Sequence, residues 1–296
     1  KGTVQNNMDG VEVFVEGKVA QVELFLQSIE QKAPRLSRID RMVVHKESSK
    51  GFRDFSFIES RREGTSQLVI PIDAGICEEC LAEMNNPLNF RYHYPFITCT
   101  QCGPRYTIID ELPYDRPFTS MAHFALCPNC EKEYNNPMDR RHHAQPIACP
   151  QCGPHLSLVS HDGNVVAQYE EALKLAGKLL LQGKILAVKG IGGFHLCCDA
   201  SNDEAVALLR SRKKRPNRPL AVMSFSIDDV KEFAFVSEAE EKMLKSPEAP
   251  IVILAKKRDY HLAENVAPNM TTVGVMLPYS PLHHLLLREA DGRTLV

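Results

Sequence analysis

Cys77-Glu78-Glu79-Cys80 and Cys99-Thr100-Gln101-Cys102-Gly103-Pro104 recur 50 residues on, as Cys127-Pro128-Asn129-Cys130 and Cys149-Pro150-Gln151-Cys152-Gly153-Pro154. The match extends beyond cysteine. Asn85-Asn86-Pro87 returns as Asn135-Asn136-Pro137, Arg91 as Arg141 and His93 as His143. Recurrence at one fixed period marks an internal duplication. Two residues between cysteines let both sulfurs reach one ion from a tight knuckle, and two knuckles complete a tetrahedron with Zn–S bonds of about 2.3 Å. The spacing assigns one zinc to Cys77, Cys80, Cys99 and Cys102 and a second to Cys127, Cys130, Cys149 and Cys152. Four protein ligands leave no position for water or substrate, so both zincs are expected to be structural. The competing readings are a disulfide framework, an iron–sulfur cluster, pairing interleaved between the units, and a ligand taken from His93, His123, His142 or His143. Eight thiolates already fill two sites, which leaves those histidines as surface or packing residues.

The chain outside this repeat has an ordinary globular composition: 296 residues, 44% hydrophobic and 24% charged, with a formal net charge of -2. That balance argues against a protein that coats nucleic acid or a membrane surface. No apolar stretch is long enough to span a bilayer. The first residues do not read as a signal peptide, and both ends read as cut from something longer. Eight of the ten cysteines fall in Cys-x-x-Cys pairs, which favours metal binding in a reducing, cytoplasmic setting over disulfides.

Three segments follow. Residues 1–62 read as α/β: Val11 to Glu16 alternates like a strand, and Val22, Phe25, Leu26 and Ile29 share one helical face before Pro34. Ile39 to His45 and Phe52 to Ile58 read as further strands, and Glu59 to Gln67 as a polar linker. Residues 70–158 are the cysteine module, too poor in long periodic runs to build a large core without metal. Residues 167–296 return to α/β. Helix candidates there cover Glu170 to Gln182 and Asp203 to Arg212. Strand candidates cover Lys184 to Lys189, Phe194 to Cys198, Leu220 to Phe225 and Ile251 to Ala255. Strands alternating with helices favour a mixed, twisted sheet with packed helices.

In the first segment, Asn6-Asn7-Met8-Asp9-Gly10 leads into Val11-Glu12-Val13. By spacing alone this is also what an ordinary turn looks like. It resembles the acylphosphatase family, in which an Asn before such a turn orients the water that attacks an acyl phosphate. The resemblance places Asn6 in that catalytic role. Gly51-Phe52-Arg53-Asp54-Phe55 resembles the family's closing strand. The family's anion-binding loop would precede residue 1, so the segment by itself is expected to be inactive.

In the third segment, Arg210-Ser211-Arg212-Lys213-Lys214-Arg215-Pro216-Asn217-Arg218-Pro219 holds six cations and no anion. Such a run suits a polyphosphate; a solvated basic face and a nucleic-acid patch are the alternatives. Lys189-Gly190-Ile191-Gly192-Gly193-Phe194-His195 joins two strand candidates, and its glycines allow a ligand close to the backbone. No Gly-Lys-Ser/Thr follows, so it is not a Walker loop. His283-His284, in an apolar helical stretch, reads as packing or pocket lining, and Cys197 and Cys198 as buried strand residues. Together these segments resemble the YrdC-like fold, whose Lys-x-Arg-Pro motif binds ATP over a carbamate-type substrate. Lys213, Arg215 and Arg218 match its basic positions, with Arg218 in place of a Lys. Lys189 and His195 occupy the place of its substrate loop. Met276 stands where that family often has Arg.

The order of parts makes the chain an α+β multidomain protein: a ferredoxin-like acylphosphatase remnant, tandem four-cysteine zinc fingers and a partial YrdC-like domain. That order resembles the hydrogenase-maturation carbamoyltransferases, the HypF family. Gly-Gly-Phe-His-Leu (192–196) and Leu-Pro-Tyr-Ser-Pro-Leu-His-His (277–284) add to the resemblance. It implies hydrolysis of carbamoyl phosphate to carbamate, adenylation of carbamate by ATP with Mg²⁺, and transfer of the carbamoyl group to the C-terminal Cys of a HypE-type partner. The other readings are a tRNA threonylcarbamoyl-adenylate synthase, against which the doubled zinc module and the altered loop speak, and a zinc-ribbon nucleic-acid-binding protein. The latter would need a basic, aromatic-rich surface around the zincs, for which Arg91 amid Phe90, Tyr92, Tyr94 and Phe96 is a weak hint.

Overall fold

The computed structural model describes residues 1–7, 10–37, 39–58 and 71–296. It divides into two compact units, residues 1–70 and 71–296. Met8, Asp9 and the linker Glu59 to Gln67 lie outside the described residues, as does the side chain of Asn6.

In the first unit, strand β1 (Gly2–Asn7) runs antiparallel to β2 (Gly10–Val15), with Asn6 opposite Val11 and Asn7 opposite Gly10. Helix α1 (Val19–Gln31) follows, and β3 (Phe55–Phe57) pairs parallel with β1. Val22, Phe25, Leu26 and Ile29 form the less exposed face of α1, as their spacing requires. Ile39 to His45 is not a strand. It is irregular chain with Ile39, Met42, Val43 and Val44 exposed. β-prone residues need a neighbour to form a strand, and no described strand pairs with these.

The second unit opens with the repeat. Helices α2 (Glu78–Asn85) and α3 (Pro128–Asn135) each start directly after the first cysteine of a unit and carry the second. Each stops at the Asn-Asn-Pro motif, because the residue before proline is excluded from helical geometry. Asn86 and Asn136 then accept a hydrogen bond from the amide two residues on, at 3.0 and 3.1 Å, which turns the chain.

Strands β4 (Ser157–Val159) and β5 (Val165–Gln168) form a small hairpin leading into α4 (Tyr169–Leu181). Strands β6 (Leu186–Gly190) and β7 (Gly193–Cys197) form a second, tight hairpin. After α5 (Asp203–Lys213) come β8 (Ala221–Met223), α6 (Ile227–Phe233), α7 (Glu238–Leu244), β9 (Val252–Ala255), β10 (Thr272–Met276) and α8 (Pro281–Glu289). The mixed sheet has the order β8-β10-β9, with β10 parallel to β8 and antiparallel to β9. The β6–β7 hairpin stands apart as its own two-stranded ladder.

Two cores organise this unit. One gathers Val206, Leu209, Val222, Phe233, Leu254 and Val275 around the mixed sheet. The other runs without a break from the first cysteine unit (Met84, Tyr94, Ile97) into α4 and α8 (Leu173, Leu180, Leu285, Leu286). The second cysteine unit keeps a small cluster of its own around Ala144 and Ile147. Apolar packing therefore fuses the repeat to the α/β region mainly through its first half, joined by Ala148 of the second.

Contact between α4 and α8 depends on Gly177. A Cβ there would lie 2.4 Å from the Glu289 carbonyl oxygen and 2.6 Å from its carbon. Backbone cannot yield as a side chain does. Gly177→Ala is expected to push the helices apart and lower the free energy of unfolding by about 1–3 kcal/mol; equilibrium denaturation measures it, and an unchanged midpoint would refute this close approach.

Candidate metal centres and substrate hairpin

The structure gathers Cys77, Cys80, Cys99 and Cys102 at one point and Cys127, Cys130, Cys149 and Cys152 at another. Sulfur–sulfur distances are 3.5 to 3.8 Å in the first cluster and 3.6 Å in the second. A disulfide needs about 2.05 Å, and all ten cysteines are free. Four sulfurs around one ion at about 2.3 Å would sit about 3.8 Å apart. The residues thus fit a closed tetrahedral ion in each unit. Among the described residues no histidine joins either cluster. His93 instead meets Arg288 of α8 at 3.0 Å.

Four thiolates around a divalent ion carry a net charge of about −2, and burying it calls for nearby cations. Each unit takes its cations from the other. Arg91 of the first unit is fully buried; its Nη2 lies 3.2 Å from Cys130 Sγ, its Nε donates to Ala148 O at 2.8 Å, and it pairs with Glu133. Arg141 of the second unit donates from Nε to Thr98 O at 2.9 Å and pairs with Glu83, its Nη2 lying 4.0 Å from Cys80 Sγ. Arg140 adds a second guanidinium at Cys80, 3.2 Å from Sγ. Burial raises the pKa of Glu83, but Arg141 and Arg140 more than reverse this and hold it below the ordinary carboxylate value. In the sequence Arg91 and Arg141 stand out only as a recurrence, with Arg91 also a weak hint of a nucleic-acid surface. Glu83 and Glu133, at the same 50-residue offset, were the signal that each arginine has an anion waiting in the opposite unit.

The β6–β7 hairpin separates two residues that the motif placed side by side. Lys189 pairs with Phe194 and His195 with Val188. Side chains alternate along a strand, so Lys189 stands on the exposed face with its ammonium 5.9 Å from the Phe194 ring. His195 faces inward, its Nε2 2.6 Å from the Tyr279 hydroxyl. Gly192 makes the turn at φ 82. Gly190 makes room: a Cβ there would lie 2.6 Å from the Tyr279 hydroxyl and 3.0 Å from His195 Nε2.

His283 packs edge-on to both rings, with centroids 5.4 Å from His195 and 4.7 Å from Tyr279. Its Nδ1 meets Ser280 Oγ at 2.9 Å, and its Nε2 is buried without a hydrogen-bond partner among the described residues. Burial pushes its pKa down to about 3 and that of His284 to about 4, so both are neutral at pH 7. Cys197 and Cys198 are buried thiols pushed up to about 12, unsuited to nucleophilic work.

In the basic run, Lys213 ends α5 and Lys214 takes φ 50 at its cap. Arg210 is buried and donates to the carbonyl oxygens of Arg215, Pro216, Arg218, Val266 and Asn265, pinning the loop. Arg215 donates to Pro219 O at 2.6 Å. Arg210, Lys214, Arg215 and Asn265 border an open depression of about 310 Å³. Lys213 and Arg218 are exposed and lie outside its lining.

Removing Arg91 would take from Glu133 the nearer of its two guanidiniums, leaving Arg141 at 3.8 Å, and from the second cluster the cation beside Cys130 Sγ. Arg91→Ala is expected to cost about 3–5 kcal/mol of unfolding free energy, read by chemical denaturation. A loss below about 1 kcal/mol would mean that the second cluster does not need its cation from the first unit.

Comparison with known proteins follows the same division. The acylphosphatase profile matches residues 1–57, the HypF-finger profile matches 76–109 and 126–159, and the Sua5/YciO/YrdC profile, described as telomere recombination, matches 178–296. Carbamoyltransferase HypF of a Synechocystis species is 48% identical over 288 residues, covering 97% of this chain and 37% of that relative. Probable carbamoyltransferase HypF of Methanocaldococcus jannaschii is 48% identical, covering 97% of this chain and 38% of that protein. The chain thus spans a little over a third of the curated relatives it matches. The crystal structure of T. kodakarensis HypF superposes with a TM-score of 0.87 at 45% identity, covering all of this chain and 38% of that one. A full-length HypF solved in a phosphate- and nucleotide-bound form gives 0.84 at 43% identity, with the same coverage. Three profiles in this order, and identity sustained along nearly the whole length, establish that the chain belongs to the HypF family.

Proposed function

We propose that the chain forms the carbamoyl-phosphate-hydrolysing and carbamate-adenylating part of a [NiFe]-hydrogenase maturation carbamoyltransferase. The observation that carries this is the sustained identity to proteins named carbamoyltransferase HypF. In this reading Asn6 orients the water that splits carbamoyl phosphate into carbamate and phosphate. A carbamate oxygen then attacks the α-phosphorus of ATP, giving carbamoyl adenylate and releasing pyrophosphate. The carbamoyl group passes finally to the C-terminal Cys of a HypE-type partner in the cytoplasm.

The similar HypF solved with phosphate and nucleotide bound supports a nucleotide role. The loop of Lys213, Arg215 and Arg218, pinned by Arg210, offers cations for the phosphates, with Mg²⁺ carried by ATP. Of the two hairpin residues, His195 on the inward face serves the carbamate side, while Lys189 lies on the opposite, exposed face. Carbamate is short-lived in water, so its formation and use belong in an enclosed space. The four-thiolate clusters hold structural zinc, the ion suited to closed tetrahedral sulfur sites.

The natural protein carrying this sequence is expected to catalyse ATP–pyrophosphate exchange that requires carbamoyl phosphate. Lys213→Ala and Arg215→Ala should each lower the exchange about a hundredfold. Exchange supported by bicarbonate plus threonine instead would move the protein to tRNA modification. Elemental analysis of the purified chain should find two zinc ions, where one or none would overturn the metal assignment.

A further inference from the structure

We propose that Tyr279 is a positioning residue for His195: its hydroxyl donates to Nε2, fixing the imidazole as the Nδ1–H tautomer with that N–H available to an oxygen of a small planar carboxylate-like anion. The proposal rests on the adenylation reading for the identity of the anion as carbamate, and on geometry for the rest.

The contact is short, 2.6 Å from Tyr279 hydroxyl to His195 Nε2. The Tyr279 hydroxyl has no other hydrogen-bond partner among the described residues, so donation to Nε2 is the arrangement that uses its hydrogen, and the nitrogen accepts it. Burial pushes the Tyr279 phenol up to about 12 and holds His195 below the ordinary imidazole value, so at pH 7 the donor keeps its proton and the ring is neutral. A neutral ring that accepts at Nε2 carries its hydrogen at Nδ1. His195 is half-buried, and among the described residues its Nδ1 has no hydrogen-bond partner and is not fully enclosed.

Both residues are held. The Tyr279 carbonyl accepts from the Ile76 amide at 2.9 Å, one residue before the metal-cluster residue Cys77. Ser280, next in line, caps α8. On the other side Gly190 leaves room for the hydroxyl that any side chain would fill, and the His283 ring closes the back of the pair. A path of backbone and side-chain contacts thus runs from the first cysteine cluster to the inward face of the substrate hairpin.

Nitrogen-15 histidine spectra of the whole chain at pH 7.5 decide the tautomer, with His195 assigned from a His195→Gln variant. The expected wild-type pattern is a protonated Nδ1 and an acceptor-type Nε2; in Tyr279→Phe the ring should shift toward the Nε2–H form. A wild-type ring protonated at Nε2, or a tautomer unchanged in Tyr279→Phe, overturns the proposal without reference to activity. In the natural protein, Tyr279→Phe should raise KM for carbamoyl phosphate in the exchange assay roughly tenfold, the value of one hydrogen bond. In a His195→Ala background it should add nothing. An additive effect there would show that Tyr279 acts on its own and would overturn its role through His195. Wild-type protein that lacks exchange yet shows the expected tautomer would sink the adenylation reading and leave the positioning role supported.

Discussion

The second unit of this protein depends on a charge problem solved by exchange. Each cysteine cluster is a buried dianion once it holds a divalent ion, and neither unit of the repeat supplies itself with an adequate cation. Arg91 crosses to Cys130 and Glu133, while Arg141 and Arg140 cross to Cys80 and Glu83. A buried guanidinium left alone would be as costly as the dianion left alone. Each therefore fixes the other's place. Metal chemistry sets the shape of each knuckle, and the arginines set how the two knuckles face each other.

From that pair the rest of the unit follows asymmetrically. The first cluster shares an apolar core with α4 and α8, and the second does not. Ile76 binds the Tyr279 carbonyl, and Arg288 at the end of α8 reaches back to His93. The repeat is thus welded to the α/β region through its first half, beside the hairpin that carries His195. The mixed sheet and its own core lie beyond, with the basic loop at the end of α5.

Much of this was legible beforehand. Cysteine spacing is rigid chemistry, so the two clusters could be read as a count along the chain. Helix α1 announced itself by periodicity and by Pro34, and α4 and α5 fall on the helix candidates to within a residue at each end. Ile39 to His45 misled because strand-prone residues such as Val43 and Val44 say nothing of a neighbouring strand to pair with. The glycines of the β6–β7 hairpin were read as ligand room; the structure gives Gly192 to a turn and Gly190 to a side-chain contact with a residue 89 positions away in sequence. Lys189 and His195 looked like one site because only five residues separate them, and a two-residue turn puts them on opposite faces. Arg210 hid inside the basic run, where charge suggests solvent and only a fold could reveal five carbonyl partners.

The crossing arginines have a further consequence. Residue by residue, Arg91 with Glu133 and Ala148 mirrors Arg141 with Glu83 and Thr98. This is the form of an isologous interface, in which the same patch meets itself across a two-fold axis, here written twice into one polypeptide. A single unit would lose the guanidinium that crosses to its thiolates, and pairing with its own copy would restore it; within the second unit Arg141 keeps only the longer contact to Glu133, 3.8 Å. Joining the copies in one chain makes that dimer independent of concentration and frees each half to change separately. Phe90 in one half and Arg140 in the other already occupy equivalent positions, so the symmetry survives in the clamp and has been abandoned around it.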